Sequence, residues 1–528
     1  MGRPKRYRER LEFEMGSVRA KGVSSHLVCI LQAEFGRSRI EAEVLAERSL
    51  GWLRGLGVSQ LPGQVWLSVP AAASKRHAQK NRRLVLVTAV DVGEDTAVWQ
   101  TFGLAALQRH RLLRWLGEIR RQGGWASLKE LAAWANLTPT ALGARLEPMR
   151  ELGVRLPHVG ESAPGGALEP EAWLVDRYLA GDRIEPLRTV FGLTLGRWET
   201  ILQRLVSCRQ LTDAGASPEE VAQRVGRSVC EVEQLLAVAF RHRRKKRFLE
   251  LQASYGVMDR AVTAEAAIEA ALLREHHFSP VEARLYHEVL RELAVRLGLR
   301  RLPEGRLVFF AIRAGQGARV RLHEAEHVPV ILSYFGDEDA ERGPRSSSPT
   351  RVAALKFGRI LRYSTEARAQ GGLLTLPDLS VLLGIHVDAI RRQIAQHPEV
   401  VVPTRGRIMD IGRGVSHKRQ IVELYLQMHT ETEICERTGH SYESVEAYLR
   451  EFARVVTLAD RGMNAVMIRR VLGRSMALVE AYLALYRQYE QPEHHFRLAQ
   501  LRRVFAREQD EGQKGGSRLR CRTWGGEL

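Results

Sequence analysis

Cysteine is scarce and scattered. The five residues Cys29, Cys208, Cys230, Cys435 and Cys521 form no C-x-x-C pair, which argues against a disulfide framework and a cysteine-based zinc site; buried thiols are expected. Long apolar runs are lacking too: no stretch of about 18 uncharged apolar residues occurs, so neither a spanning helix nor a membrane partner is expected. The first residues, MGRPKRYRER, lead into Glu12 and Glu14 where a signal peptide would place its apolar core, and the expected location is the cytoplasm. Negative charge is in deficit, with 61 acidic residues against 80 basic ones and a formal net charge of +19.

What is present points to a polyanionic partner. Most of the basic residues are arginine, whose planar fork matches phosphate and guanine edges. Double-stranded DNA is the natural ligand for such a chain, although a GC-rich genome raises arginine content by itself. With 528 residues, 45% of them apolar, the chain is too long for one core, and several domains of roughly 100–150 residues are expected.

The sequence repeats itself. GRSVCEVEQLL at 226–236 returns as GRSMALVEAYL at 473–483, an offset of 247 that also pairs Tyr178-Leu179 with Tyr425-Leu426 and Gly192 with Gly439. An offset of 248 pairs QGGWASLKEL from Gln122 with QGGLLTLPDL from Gln370. One of 241 pairs LGVSQLP from Leu56 with LGLRRLP from Leu297, and Ile40-Glu41-Ala42 with Val281-Glu282-Ala283. Drift of this size is what insertions in surface loops produce. The expectation is a tandem duplication of a unit of about 240 residues, joined near 248–275.

Each unit opens on a helical stretch followed by β-type runs, VWLSV and RRLVLVTAV in the first copy, RLVFFAI and VPVILSYF in the second. The remainder is helical by pattern. The expected fold is mainly α with small β elements (α+β), each unit an α+β module followed by three helix-turn-helix modules. The expected boundaries are a basic arm over 1–34, an α+β module over 35–115, a helix-turn-helix with a candidate wing over 116–160 and two more such modules over 170–247. A linker helix over 248–275 then leads to the second copy as 276–355, 356–408 and 416–489, with a helix and disordered tail over 490–528.

The repeated phrase explains itself as a helix-turn-helix. In PEEVAQRVGRSVCEVEQLL, from Pro218, Val221 and Val225 share one helical face, Gly226 supplies a positive φ, and Ser228 can cap the next helix, whose Val232 and Leu236 point back onto the first. VMIRRVLGRSMALVEAYL repeats this with Ile468, Gly473, Ser475, Val479 and Leu483. Four more segments fit, with turn residues Asn136, Gly192, Gly384 and Gly439; asparagine is the best non-glycine residue for left-handed geometry. A second helix of this kind presents its first side chains to the major groove. That makes Arg227, Ser228, Arg474, Ser475, Arg197, Thr138, His386 and His440 candidate DNA contacts, with about half of the six pairs expected to serve only as packing.

In the second copy, VVPTRGRIMDIGRGVSHKRQIVELYL from Val401 lies between RYSTEARAQGGLLTLPDL and TGHSYESVEAYLREFARVV. Over about 276–490 these strings resemble the prokaryotic family catalogued as domain of unknown function sixteen-seventy, and residues 35–245 resemble a diverged second instance. The resemblance implies a helix-turn-helix DNA-binding protein associated with mobile elements, in the company of a transposase or recombinase, and no particular chemistry. Within the string, Arg405, Arg413 and Lys418 on a glycine-rich connector are candidate phosphate contacts, or simply a solvated linker. The first copy has Leu156-Pro157-His158-Val159-Gly160 where the second has Val402-Pro403-Thr404-Arg405-Gly406, and no counterpart of Ser416-His417-Lys418 is evident.

Two basic tracts are further candidates. RHRRKKR at 241–247 places Arg243, Arg244, Lys245 and Lys246 directly after a helix-turn-helix, where a phosphate backbone could pass. At the N-terminus Arg3 and Lys5 flank Pro4 in the manner of a minor-groove hook. HEAEH at His323–His327 fits the zincin pattern, but strand-like neighbours and Pro329 favour a charged hairpin loop. The clusters Asp91, Glu94, Asp95 and Asp337, Glu338, Asp339 could bind Mg²⁺, but each sits in one loop and a solvated turn is expected. No catalytic residue, metal site or cofactor is therefore assigned. The expected function is sequence-specific DNA binding, as a regulator or end-binding accessory protein of a mobile element. The alternatives are a strand-transfer enzyme or metal-dependent nuclease or hydrolase, and a protein-interaction scaffold.

Overall fold

A computed structural model of the chain describes residues 3–503, apart from 20, 57, 73–80, 155, 157, 159–168, 256–267, 269–270, 274–275, 298–300, 317–319, 321–324, 337–338, 340–347, 399, 410–414, 439–441 and 491–495. The protein is mainly helical with small antiparallel sheets. Residues 1–397 and 398–528 form two compact units.

The first unit begins with helices α1 (Arg3–Arg19), α2 (Val23–Ala33) and α3 (Arg39–Gly55). The hairpin β1 (Gln64–Pro70) and β2 (Arg82–Thr88) follows, in a register that sets Gln64 opposite Thr88 and Pro70 opposite Arg82. Helices α4 (Val92–Phe102), α5 (Leu104–Arg121), α6 (Leu128–Trp134) and α7 (Pro139–Glu151) come next, then α8 (Pro170–Ala180), α9 (Ile184–Phe191), α10 (Leu195–Asp213), α11 (Pro218–Val225), α12 (Val229–His242) and α13 (Lys246–Ser254). The unit continues with α14 (Pro280–Leu297), β3 (Arg306–Arg313), β4 (His327–Ser333), α15 (Pro349–Ala369), β5 (Gly372–Leu373), α16 (Leu376–Leu383) and α17 (Val387–Gln396).

The four long strands fall on the β-branched runs. In β2 the alternation buries Val85 and Val87, and β3, buried along nearly its whole length, lies between β4 and β5. An edge strand exposes unpaired backbone groups that have to be covered, and here helix side chains do so. Gln122, just past the end of α5, accepts from the Leu86 amide at 2.9 Å and donates to its carbonyl at 2.8 Å, while Glu118 of α5 accepts from the Thr88 amide at 2.7 Å. On the other hairpin Gln370, just past the end of α15, does the same for Ile331, at 2.8 and 2.7 Å, and Glu366 of α15 accepts from the Ser333 amide at 2.8 Å.

The two hairpins meet through reciprocal backbone bonds. The Gly63 amide donates to the Val308 carbonyl at 2.8 Å, and the Gly305 amide to the Trp66 carbonyl at 2.9 Å. Both glycines are at positive φ, 78° and 77°, and a Cβ there would run into the carbonyl oxygens of Val90 and Phe335 respectively.

The second unit contains α18 (Arg405–Ile408), α19 (Val415–Leu426), α20 (Glu431–Thr438), α21 (Tyr442–Asp460), α22 (Ala465–Leu472) and α23 (Met476–Tyr489), with a further helical stretch over 496–503. Its core is closed by Ile421, Tyr425, Phe452, Ile468, Val479 and Tyr482. Ile468, Val479 and Leu483 do lie on or against this core, as their helical spacing requires.

Candidate nucleic-acid interface

All six expected helix pairs are present: α6/α7, α9/α10, α11/α12, α16/α17, α20/α21 and α22/α23. The turns at Gly192, Gly226, Gly384 and Gly473 are left-handed, and Asn136 adopts φ 56°; Gly439 and His440 lie outside the described residues. Thr138, Thr194, Ser228 and Ser475 each accept a backbone N–H at the start of the second helix. At Ser228 the bond is reciprocated by Glu231 in a capping box.

Two of these pairs face inward. Asn136 Nδ2 donates to the Leu383 carbonyl at 2.9 Å, and Asn136 Oδ1 accepts from Arg359 at 2.8 Å. Arg359 also donates to the Ala133 carbonyl at 2.9 Å and to Asp339 at 3.1 Å. Arg111, 248 residues earlier, donates to Asp95 at 2.8 Å and to the Val381 carbonyl at 2.7 Å, and Ala133 and Val381 differ by the same 248. The turns of α6/α7 and α16/α17 thus lock against each other. Thr138 is spent on its cap, and His386 meets the Trp99 ring edge-on at 5.8 Å, where burial lowers its pKa.

Asp95 and Asp339 are the anchors, and they correct the expectation of solvated acidic turns. Both are buried: Arg114 donates to Asp95 at 2.8 Å and Arg362 to Asp339 at 2.8 Å. Burial alone would raise both carboxyls, but the paired guanidiniums outweigh it and hold them below the usual carboxylate range. Asp91 caps α4, and Glu94 lies 3.3 Å from His110. Asp337, Glu338, His323 and Glu324 lie outside the described residues, while His327 opens strand β4 opposite Ile312. Among the described residues no group of three metal-ligating side chains occurs.

Arg227 departs from the expected groove-facing position. Its side chain is 10% exposed and donates to Glu171 of α8 at 3.1 Å, beside Arg197 at 3.2 Å and Arg204 at 2.5 Å. Burial pulls the Arg227 guanidinium down to about 10, and three arginines hold the partly buried Glu171 carboxyl far below its ordinary value. The α9/α10 turn is docked as well: a Cβ on Gly192 would press on the Ala106 carbonyl and His110, and Arg109 donates to the Val190 carbonyl at 2.6 Å.

In the second unit the three residues at the 247-residue offset carry the charges differently: two are exchanged and the arginine is kept. Lys418, Glu451 and Arg474 stand 247 residues after Glu171, Arg204 and Arg227. Lys418 Nζ lies 3.5 Å from Glu451, which also pairs with Arg474. Two expected phosphate contacts therefore meet on one carboxylate, Lys418 nearly buried and Arg474 53% exposed. The parallel extends further: His242 meets Asp176 at 2.8 Å where Tyr489 meets Glu423 at 3.4 Å. Arg405 is buried in α18, Arg413 lies outside the described residues, and Arg3 and Lys5 sit in α1 with side chains outside them.

The exposed cations gather at the junction of α12 and α13. Arg243, Arg244, Lys245 and Lys246 are all exposed. Arg243 folds over the Phe240 ring at 3.8 Å and Lys246 reaches Glu250 at 3.7 Å, while Arg244 and Lys245 have no ion-pair partner among the described residues. Arg247 pins the junction through the Tyr178 carbonyl at 2.7 Å. Sequence reading missed the inward role of Arg111 and Arg359, although their equal spacing within the repeat signalled it. It also missed exposed Arg391, Arg392, Arg469 and Arg470.

The chain is thus a mainly helical protein of paired helices, with two small sheets among the described residues. Residues 277–485, less than half of the chain, match the model of the family described as "Protein of unknown function (DUF1670)". No curated protein and no solved structure matches. No helix among the described residues is long and apolar enough to cross a membrane.

Proposed function

We propose that the chain is a tandem duplication and that it binds double-stranded DNA without catalysing a reaction on it. The matched networks at Asp95/Arg111/Arg114 and Asp339/Arg359/Arg362 support the duplication. So do those at Glu171/Arg204/Arg227 and Lys418/Glu451/Arg474, where the charges of the first two positions are exchanged and the helix–turn–helix frame is kept. The paired helices supply the helix-turn-helix reading. The observation that carries DNA binding is the exposed, largely unpaired cluster Arg243, Arg244, Lys245 and Lys246, set on a helix-turn-helix of a chain with net charge +19. In this reading the first helix pair of each copy is structural, and phosphate contact falls to that junction and to outward arginines such as Arg391, Arg392, Arg469 and Arg470.

Fluorescence anisotropy with labelled duplex across a salt series tests it. Wild-type affinity is expected to fall steeply with salt, and replacing residues 243–246 by alanine should reduce the slope of log K against log salt by roughly 3–4, about 0.9 per phosphate lost. Unchanged affinity and slope would refute the assignment of the junction. A role as regulator or end-binding accessory of a mobile element is the extension we favour, and a genome-wide map of bound DNA tests it.

A further inference from the structure

The cationic junction of α12 and α13 carries an aromatic ring that the core does not use. Phe240, in the last turn of α12, is 58% exposed. The Arg243 guanidinium lies over one face of its ring at 3.8 Å and is held there by donating to the Phe240 carbonyl at 2.9 Å. The rest of the ring is open to water. Beyond the cations, Leu249 of α13 is 52% exposed, its amide bonded back to the Lys245 carbonyl at 3.2 Å. Exposed apolar side chains thus flank the run 243–246 at both ends.

Packing does not require that ring. The residue 247 positions later is Arg487, exposed in the last turn of α23, whereas His242 and Tyr489, two residues further along each helix, are both buried. Both helices turn this position to solvent; one fills it with a phenyl ring, the other with a charge. An exposed phenylalanine leaves apolar area in water, and a ligand that covers the ring gains from it. The surrounding charge narrows the ligand. Arg241 and residues 243–247 supply six cations. Of the nearby carboxylates, Asp176 is paired with Arg241 and His242, Asp182 with Arg177 and Glu250 with Lys246; Glu233, on the same side of α12, lies two turns back. The surplus is positive. A polyanion that also offers flat apolar faces fits such a surface, while a lipid surface needs a longer apolar stripe than these two side chains provide.

We infer, resting on the DNA binding proposed above, that Phe240 is a stacking platform for an unpaired DNA base, with the cations of 243–246 on the flanking phosphates. In an intact duplex each base face is covered by its neighbours and the ring gains little. At a bulge or an opened step one base is free to lie on it. Aromatic rings and guanidinium planes both serve as such platforms, and stacking of this kind tolerates any sequence because every base has a π-face. The junction therefore selects DNA that is locally unpaired.

Two labelled probes, a perfect duplex and the same duplex with a one-base bulge, test this with the full chain by fluorescence anisotropy across a salt series, with circular dichroism to verify folding. The wild type should bind the bulged probe about tenfold more tightly. Phe240→Ala should abolish that ratio while leaving the affinity for the perfect duplex and both salt slopes unchanged; Phe240→Tyr should keep the ratio. Arg244→Ala should weaken both probes together, lower each slope by about 0.9 and leave the ratio intact. A wild type that binds both probes equally, with a steep salt slope, would overturn the platform and leave the DNA-binding reading standing; a wild type that binds neither would overturn both. A bulge preference that survives Phe240→Ala would place the stacking elsewhere. Phosphatidylglycerol vesicles bound through Phe240, with no bulge preference, would give the ring to a lipid surface instead.

Discussion

Asp339 lies between Arg359 and Arg362 with little access to water. Removing its charge leaves two guanidiniums desolvated with no counter-ion, and breaking such a buried pair typically costs about 3–5 kcal/mol. Asp339→Asn is therefore expected to lower unfolding stability by that order in denaturant titrations at neutral pH. The pH dependence follows from the direction of the shift. Because the folded carboxyl is held below its unfolded value, its contribution is fully present above about pH 4, the unfolded value, and is lost as pH falls through the folded value. The stability difference between wild type and Asp339→Asn should shrink on acidification below about pH 4; a difference that stays constant down to unfolding would show that the ion pair is not its source.

The element scale separates what the sequence reveals from what it hides. Helix starts are local: Ser127 with Glu130, Ser217 with Glu220 and Ser228 with Glu231 are capping boxes readable as three-residue spacings. The turns are legible for the same reason, since glycine at 192, 226, 384 and 473, and asparagine at 136, take up the positive φ that these turns require. The direction of Arg227 is not local. It depends on Glu171, 56 residues away on another helix, and nothing in the turn itself announces that partner. The candidate site was thus legible as a set of helix pairs but only in part as a set of exposed side chains: the run 243–246, too dense in cations to be buried, and Arg474 are exposed as expected, whereas Arg227 is nearly buried and Arg405 buried.

The exchanged charges give a prediction at this same scale. Glu171→Lys alone would place a lysine among Arg197, Arg204 and Arg227, with a loss of about 3–5 kcal/mol for the broken buried pairing. Glu171→Lys/Arg204→Glu rebuilds there the pattern that Lys418, Glu451 and Arg474 form in the second unit. Thermal melts should show the double variant markedly more stable than the single. If it is no better, the two clusters do not share one geometry.

At the scale of the first unit, the two halves are interlocked rather than merely adjacent. Arg111 belongs to the proposed first copy but bonds the Val381 carbonyl of the proposed second; Arg359 belongs to the second but bonds the Ala133 carbonyl of the first. A repeat in sequence announces two similar folds and is silent about whether they touch, because the contact depends on surfaces hundreds of residues apart. The reciprocity has a consequence that local packing would not produce. Arg111→Met should raise hydrogen exchange most at the α16/α17 turn, where the Ile385 amide bonds Ser380, and Arg359→Met most at the α6/α7 turn, where the Leu137 amide bonds Ala132. Each substitution frees a carbonyl of the other half, and a turn released from its tie opens locally at a lower free-energy cost than the surrounding helices. Exchange that rises only around the substituted helix, in either variant, would mean that the two halves hold their turns independently.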